Sequence, residues 1–508
     1  TVRQLFEHQT VADLVPFLKQ GSAFIIPQGP IEGEQHLLPI QRRFFHQALP
    51  EAHHYNQSVL LQTPIGFTER FLPELLQALY ARHDVLRLAF HPEKGVWRGV
   101  YQDYNDQALA DCVSYEDLSS LEKEEQVRCL GERCSTLQAS FDLKKSPLIR
   151  AGYFDYGPDA KGRLLLVLHH LIVDGVSWRI LLSDLERAYK QVRSGEAIVL
   201  EAKSSSYQQW GGALEAYSDL GELASEREYW AEQVSRPIGA LPGVKNVEFG
   251  GVPTISENSH NFNFRLSREE TKQLVGECNT AYRTQINELL LAALLKAYHD
   301  WSGENGMRLN MEGHGREELF DDLDMSETVG WFTTVYPLVL SSDLQGDFGE
   351  LIKSVKEQCR QTPKKGIGYG ILTEVLEDAE LRDLDAKQSD APIVFNYLGQ
   401  FDNILNGGTL FQAASESQGT SVSPNQASAE LIAINGLVAG EHMSFSFRGA
   451  PRRIAPEATA AFCSAFEMAL KQCVKWCVNE LELAKLRENH KHNIALDSKS
   501  LQEQGVLI

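Results

Sequence analysis

The sequence predicts an α/β (α+β) protein of two lobes with mixed β-sheets. Three observations carry that reading. Apolar strand-like runs alternate with amphipathic helical patterns in both halves of the chain. The 508 residues exceed what one ordinary core accommodates. A stretch rich in Gly and Pro, Pro237 to Asn258, interrupts the pattern just after a second lobe would open. Composition fits a globular protein, with 43% hydrophobic and 23% charged residues. The formal net charge of −21 excludes a nucleic-acid footprint and an anionic lipid surface, both of which need a basic face. No apolar run reaches the length of a membrane span.

Residues 1–20 read as a separate unit. Val11, Leu14, Val15 and Leu18 follow helical spacing, with Thr10 as cap and Asp13 three residues on. Residues 21–33 read as a Gly- and Pro-containing linker. The first lobe is expected over 34–210, with a helix at Phe71–His83, a strand at Leu86–Phe90 and a buried strand at Leu164–Leu168. The second lobe is expected over 211–485. It would hold helices at Leu220–Val234, Glu288–Trp301 and Ala458–Leu483, and a polar surface loop at 405–428. Residues 486–508 form a tail. The chain opens at Thr1 with neither an initiator Met nor a signal peptide, so it is expected to be a piece of a longer one. The 8 cysteines contain no Cys-x-x-Cys pair. Cys473 and Cys477 suit one helix face, so buried reduced thiols in the cytoplasm are expected, not zinc or disulfides.

The chemistry-bearing stretch is His169-His170-Leu171-Ile172-Val173-Asp174-Gly175-Val176-Ser177-Trp178-Arg179. An apolar strand delivers two histidines to a turn that opens a helix. Imidazole is suited to proton transfer near neutral pH, although a His-His pair alone also fits a core or loop. A second cluster, Glu312-Gly313-His314-Gly315-Arg316-Glu317, fits either a polar turn or a site where glycines permit close approach. Thr328 to Pro337 reads as a buried strand rich in aromatic and β-branched residues. Pro363-Lys364-Lys365-Gly366-Ile367-Gly368-Tyr369-Gly370 is Gly-rich with two lysines but lacks phosphate-loop spacing.

The first stretch resembles the His-His-x-x-x-Asp-Gly signature of the condensation-domain superfamily of nonribosomal peptide synthetases. Its continuation Val-Ser-Trp-Arg resembles the version in epimerization domains. Four further elements resemble that family's motifs in order: Leu38-Pro39-Ile40-Gln41, the Glu312 cluster with Thr328–Pro337 behind it, Pro363–Gly370, and Phe395-Asn396-Tyr397-Leu398-Gly399-Gln400-Phe401-Asp402. Leu5-Phe6-Glu7-His8-Gln9-Thr10 resembles the end of a peptidyl carrier protein before its last helix. The tail from Asn489 departs from the ending typical of such domains.

The resemblance implies two chloramphenicol-acetyltransferase-like lobes in a V-shaped pseudo-dimer around a central channel. It also implies epimerization of an L-aminoacyl or L-peptidyl thioester held on a carrier's 4′-phosphopantetheine, with no cofactor or metal bound by this chain. His170, Glu312 and Tyr397 are then the catalytic candidates. Glu312 would act as base toward the L substrate and His170 would stabilise the enolate oxygen or its charge; the reverse assignment stays open. Asn396, His169 and Trp178 would orient substrate or oxyanion, with His169 also fitting a structural role. Asp174, Gly175 and Arg150 would be structural, Arg150 pairing with Asp174. Implied partners are the upstream peptidyl carrier domain, the adenylation domain of the same synthetase and a downstream condensation domain. A condensation domain forming amide bonds shares His170 but has no need of Glu312 in its motif; a non-catalytic docking platform needs neither residue.

Overall fold

The computed structural model describes residues 26–218, 221–236, 239, 241–244, 260–343, 346–388, 393–400, 409–426, 430–450 and 453–503. The carrier-like helix expected in residues 1–20 lies outside the described residues, as do Phe401 and Asp402. In chain order the first strands are β1 (Gly33–Gln35), β2 (Asn56–Gln62), β3 (Leu88–Glu93), β4 (Val96–Tyr101), β5 (Val113–Asp117), β6 (Ile149–Asp155) and β7 (Arg163–His169). They are followed by β8 (His260–Arg265), β9 (Gly306–Gly313), β10 (Thr334–Ser341), β11 (Ile393–Gln400), β12 (Gln412–Ala413), β13 (Ile432–Ala439) and β14 (His442–Gly449).

Two mixed sheets, neither closed into a barrel, dominate the described residues. The first runs β12-β2-β7-β6-β5. Its central strand β7 is an almost unbroken apolar run, buried from Leu164 to His169, as a strand covered on both faces should be. The Gly175–Arg193 helix follows at once. Asp174 caps it by accepting from the Ser177 backbone N–H at 2.8 Å. Trp178, Leu181, Leu182, Leu185 and Tyr189 bury its apolar stripe in the first core.

The second sheet runs β10-β9-β11-β13-β14-β8, with β9, β11 and β13 parallel and the other pairs antiparallel. The Ile286–Ser302 helix covers it, opened by a Gln285–Glu288 capping box and closed by Gly303 at φ 80°. Its leucines and alanines, with Phe395, Phe445, Phe447 and Phe462, form the second core.

The helix expected at Phe71–His83 spans Leu72–Arg82, and that expected at Leu220–Val234 spans Glu222–Ser235. The strand expected at Leu86–Phe90 starts at Leu88, because Asp84–Arg87 form a 3₁₀ turn. The last helix is longer than its apolar pattern, running from Pro456 to Glu503 through most of the expected tail.

Two expectations need correction. Residues 405–428 are not simply a surface loop. Within them β12 pairs antiparallel with β2 and Tyr55 bridges Val422, so a late segment adds an edge to the first sheet. An edge strand tolerates polar residues because one side faces solvent, and composition alone therefore reads as loop. Likewise only Thr334 onward of the Thr328–Pro337 run is strand. Met325, Val329, Trp331 and Phe332 pack instead into the first core.

Candidate active site

A channel with a cavity volume of ≈ 380 Å³ lies between the two sheets, lined by Tyr55, Gln57, His170 and Arg179 from one side and Glu312, Asn396, Tyr397 and Glu430 from the other. His170 and Glu312, far apart along the chain, thus face one space. Gly175 and Lys365 also line it.

His170 follows the last residue of β7. Its Nδ1 lies 2.9 Å from the Val173 carbonyl and its Nε2 lies 3.0 Å from Gln57 Nε2. The Trp178 indole N–H donates to Gln57 Oε1 at 2.9 Å. Indole nitrogen only donates, so the Gln57 oxygen must face Trp178 and its NH₂ must face His170. An amide NH₂ also only donates. His170 Nε2 therefore holds a lone pair, and the single ring proton sits on Nδ1, bonded to Val173. Burial lowers the His170 pKa below its ordinary 6.5 and keeps the ring neutral. Trp331 packs on the ring at 4.3 Å between centroids, and Tyr55 stacks on it at 5.5 Å.

Glu312 comes from β9, directly opposite Val335 of β10. Phe395 pairs with Met311 in the parallel ladder, so Asn396 follows beside Glu312. Asn396 Nδ2 donates to Glu312 Oε2 at 2.7 Å. Burial, reinforced by the Glu430 carboxylate, pushes the Glu312 pKa up to about 7, against the opposing pull of Arg43 and Asn396. Glu312 is thus divided between acid and base near neutrality, the condition that favours general-base catalysis. Tyr397 lines the same channel, with burial raising its phenol to about 12, so it stays a protonated donor.

Asp174 locks the motifs together. Its Oδ1 accepts from the Ser177 N–H and Oγ at 2.8 Å each; its Oδ2 accepts from Arg316 Nη1 at 2.7 Å and the Phe332 N–H at 3.0 Å. Arg316 also bonds Ser177 Oγ and the Thr328 carbonyl, and lies 3.9 Å over the Phe332 ring. Gly315, at φ 70°, lets this turn pass against the Phe332 backbone, where a Cβ would collide.

Three expectations are overturned by these contacts. Arg150 does not pair with Asp174. It donates to Ser140 and to the Pro147 and Ile149 carbonyls, and lies over Phe141. The partner is Arg316, from the second motif. His169 does not orient substrate: it is fully buried, its Nε2 donating to the Ala52 carbonyl and its Nδ1 accepting from the Leu171 N–H. Burial drives its pKa to about 3. Trp178 is 3% exposed and reaches His170 only through Gln57. A fourth reading shifts as well. His170 presents no N–H to the channel in this tautomer, so it is not placed to donate to an enolate oxygen.

Sequence reasoning missed Gln57, Tyr55, Trp331, Arg43, Glu430 and the pairing role of Arg316. One signal was available for Gln57. It is a polar residue in the strand paired with β7, opposite Leu168. Residues 168 and 170 share a face in an extended chain, so Gln57 falls on the side of His170.

A family model described as Condensation domain matches residues 31–492. The linear gramicidin synthase of Brevibacillus parabrevis supplies two relatives. One of its subunits is 39% identical over 451 residues, 88% of this chain and 8% of that protein. Another is 37% identical over 487 residues, 94% of this chain and 6% of that protein. The chain therefore spans less than a tenth of the length of these relatives. Among solved structures, the epimerization domain from the third module of tyrocidine synthetase B superposes with a TM-score of 0.80 at 32% identity, covering 90% of this chain and 99% of that one. The first condensation domain of the calcium-dependent antibiotic synthetase superposes with a TM-score of 0.64 at 18% identity, covering 87% and 96%, a likeness of fold alone. The chain belongs to the condensation-domain family of nonribosomal peptide synthetases.

Proposed function

We propose that this domain epimerises the α-carbon of an aminoacyl or peptidyl group presented as a thioester on a carrier's phosphopantetheine. The observation that carries the reading is the Glu312 carboxylate, held to a pKa of about 7 and facing a neutral His170 across one channel. The similarity to the tyrocidine synthetase epimerization domain supports it. The pantetheine arm arrives with the substrate; the channel's mixed polar lining suits a thioester with amide-bearing attachments, and this chain need hold no cofactor of its own.

The chemistry balances on the residues present. Glu312 as carboxylate takes the α-proton. The C–H electron pair becomes the Cα–C double bond of an enolate, and the carbonyl π pair moves onto oxygen. The planar carbon then receives a proton on its other face from the Tyr397 phenol. The resulting phenolate is reprotonated through channel water as Glu312 releases its proton. Each positioned acid–base group contributes roughly 10²–10⁴-fold. Asn396 holds the Glu312 carboxylate in place.

The carrier is proposed to lie directly upstream, with adenylation and downstream condensation domains in the same assembly, as befits a match to a small part of long synthase subunits. No described helix is long and apolar enough to cross a membrane. The test is deuterium entry at the α-carbon in deuterated water, using this domain with an L-aminoacyl carrier. Wash-in with D product, lost in Glu312→Gln and His170→Ala, is the expected result. Amide formation with an added acceptor and no wash-in would establish the condensation reading instead.

A further inference from the structure

We propose that Gln57 is a further catalytic residue: its side-chain amide donates to the thioester carbonyl oxygen as negative charge develops there. The inference rests on the epimerase reading for its chemistry, but the carbonyl contact itself would serve any reaction of a thioester in this channel.

The polar capacity of Gln57 is almost fully assigned. Its Oε1 accepts from the Trp178 indole, and one Nε2–H donates to His170 Nε2. The second Nε2–H has no partner among the described residues, and Gln57 lines the channel. An amide fixed at both its oxygen and one hydrogen cannot swing away, so the remaining N–H is preorganised. That is what stabilising a developing oxyanion requires, because no reorganisation is needed at the moment of reaction.

The neighbouring groups make Gln57 the better donor. Neutral His170 turns a lone pair, not a proton, toward the amide. The Trp178 N–H bonded to Gln57 Oε1 draws charge toward that oxygen and strengthens the amide N–H groups as donors. Val173 holds the ring proton on the far nitrogen. Trp178, buried at 3% exposure, blocks the flip that would turn the amide oxygen toward the channel. His170 and Trp178 are then positioning residues acting through Gln57. Their order along the chain explains the motif, since the helix opened at Gly175 carries Trp178 back to Gln57.

As the α-proton leaves for Glu312, the carbonyl oxygen gains the π pair and accepts the Gln57 hydrogen bond more strongly. No proton need cross from Gln57, and on reprotonation of the carbon the oxygen returns to a carbonyl.

The experiment compares the wild-type domain with Gln57→Met and Gln57→Glu, using an L-phenylalanyl carrier labelled with ¹³C at the thioester carbonyl. Three readouts are taken: the carbonyl stretch of the bound thioester by isotope-edited infrared, kcat and KM for α-proton exchange, and the His170 ring nitrogens by ¹⁵N NMR. The expected result is a carbonyl band shifted to lower frequency in the wild type only. Both variants should lose about 10²–10³-fold in kcat with KM within a few-fold, the range for one oxyanion donor. Gln57→Glu, which keeps an acceptor for Trp178, should move the His170 proton population toward Nε2 and raise its pKa, a change that a packing role would not produce. An unshifted band in the wild type, or kcat unchanged in both variants, overturns the proposal. A Gln57-dependent band shift without any exchange would retain the carbonyl contact and reject the epimerase reading.

Discussion

The two walls of the channel are built on opposite principles. On the first wall nearly every polar atom near His170 is committed: Trp178 to Gln57, Gln57 to His170, His170 to Val173, and Asp174 to Ser177, Arg316 and Phe332. On the second wall Glu312 has one side-chain donor among the described residues, Asn396, and Tyr397 is shifted by burial alone. The first wall fixes geometry and protonation. The second leaves groups whose protons can move. Saturated hydrogen bonding suits an electrostatic framework that must not change during reaction, whereas a general base must exchange its proton every turnover.

The sharpest way to break that comparison is Glu312→Gln. Exchange should fall by about 10²–10⁴-fold in the deuterium assay. The same variant should be more stable than the wild type at alkaline pH. Glu312 titrates at an ordinary value near 4.5 when unfolded and at about 7 when folded. Between those values the unfolded chain has released a proton that the folded chain retains, so stability falls as pH rises and levels off above about 7. Glutamine has no such penalty. The melting gap should be absent below pH 4.5 and reach about 3 kcal/mol by pH 8. Equal melting curves across that range would show that Glu312 is not held in a desolvated state.

The next largest effect belongs to the first wall. Arg316→Met leaves Asp174 buried without its cation, at an expected cost of about 3–5 kcal/mol in denaturant melts. Arg150→Met should cost only ~1–2 kcal/mol, since its partners are neutral carbonyls, a hydroxyl and a ring face, and no buried charge is left unpaired. Equal losses would mean that the Asp174 clamp is not the element holding the histidine turn.

Those two arginines also show what could be read in the sequence. The alternation of strand and helix and the strand–turn–helix around His170 were legible because each rests on local periodicity or turn chemistry, whereas the strands that carry Glu312 and Asn396 were not. Partner choice was not. Arg150 sits on β6 opposite Val167, close to His170 in the ladder, but its side chain bonds toward Ser140. Arg316 lies 142 residues from Asp174 and reaches it because a glycine turn carries it into the first core. Gln57 was hidden for a similar reason. Strand pairing brings it to His170, and only the donor-only indole of Trp178, another long-range neighbour, determines which end of its amide faces the ring.

Tyr397→Phe tests the division of labour within the second wall. If the phenol returns the proton on the far face, deuterium should still enter while D product falls by roughly 10²-fold or more, because Glu312 can return a deuteron to the face it serves. Exchange and inversion falling together would assign Tyr397 to the first proton transfer instead.

Asn396→Ala should have the smallest effect and the most specific one. Its Nδ2 donates to Glu312 Oε2 at 2.7 Å, a bond that favours the charged carboxylate. Removing it leaves Arg43 alone to oppose burial and the Glu430 charge, so the Glu312 pKa rises further above about 7. The exchange rate depends on the carboxylate form, so it rises with pH through the Glu312 pKa. In the variant that limb should move to higher pH by up to about one unit, with the plateau little changed. At pH 7 the rate drops a few-fold; at pH 9 the two proteins converge. A uniform loss at every pH would mean that Asn396 orients the carboxylate without tuning it. The committed wall would then not be alone in setting geometry.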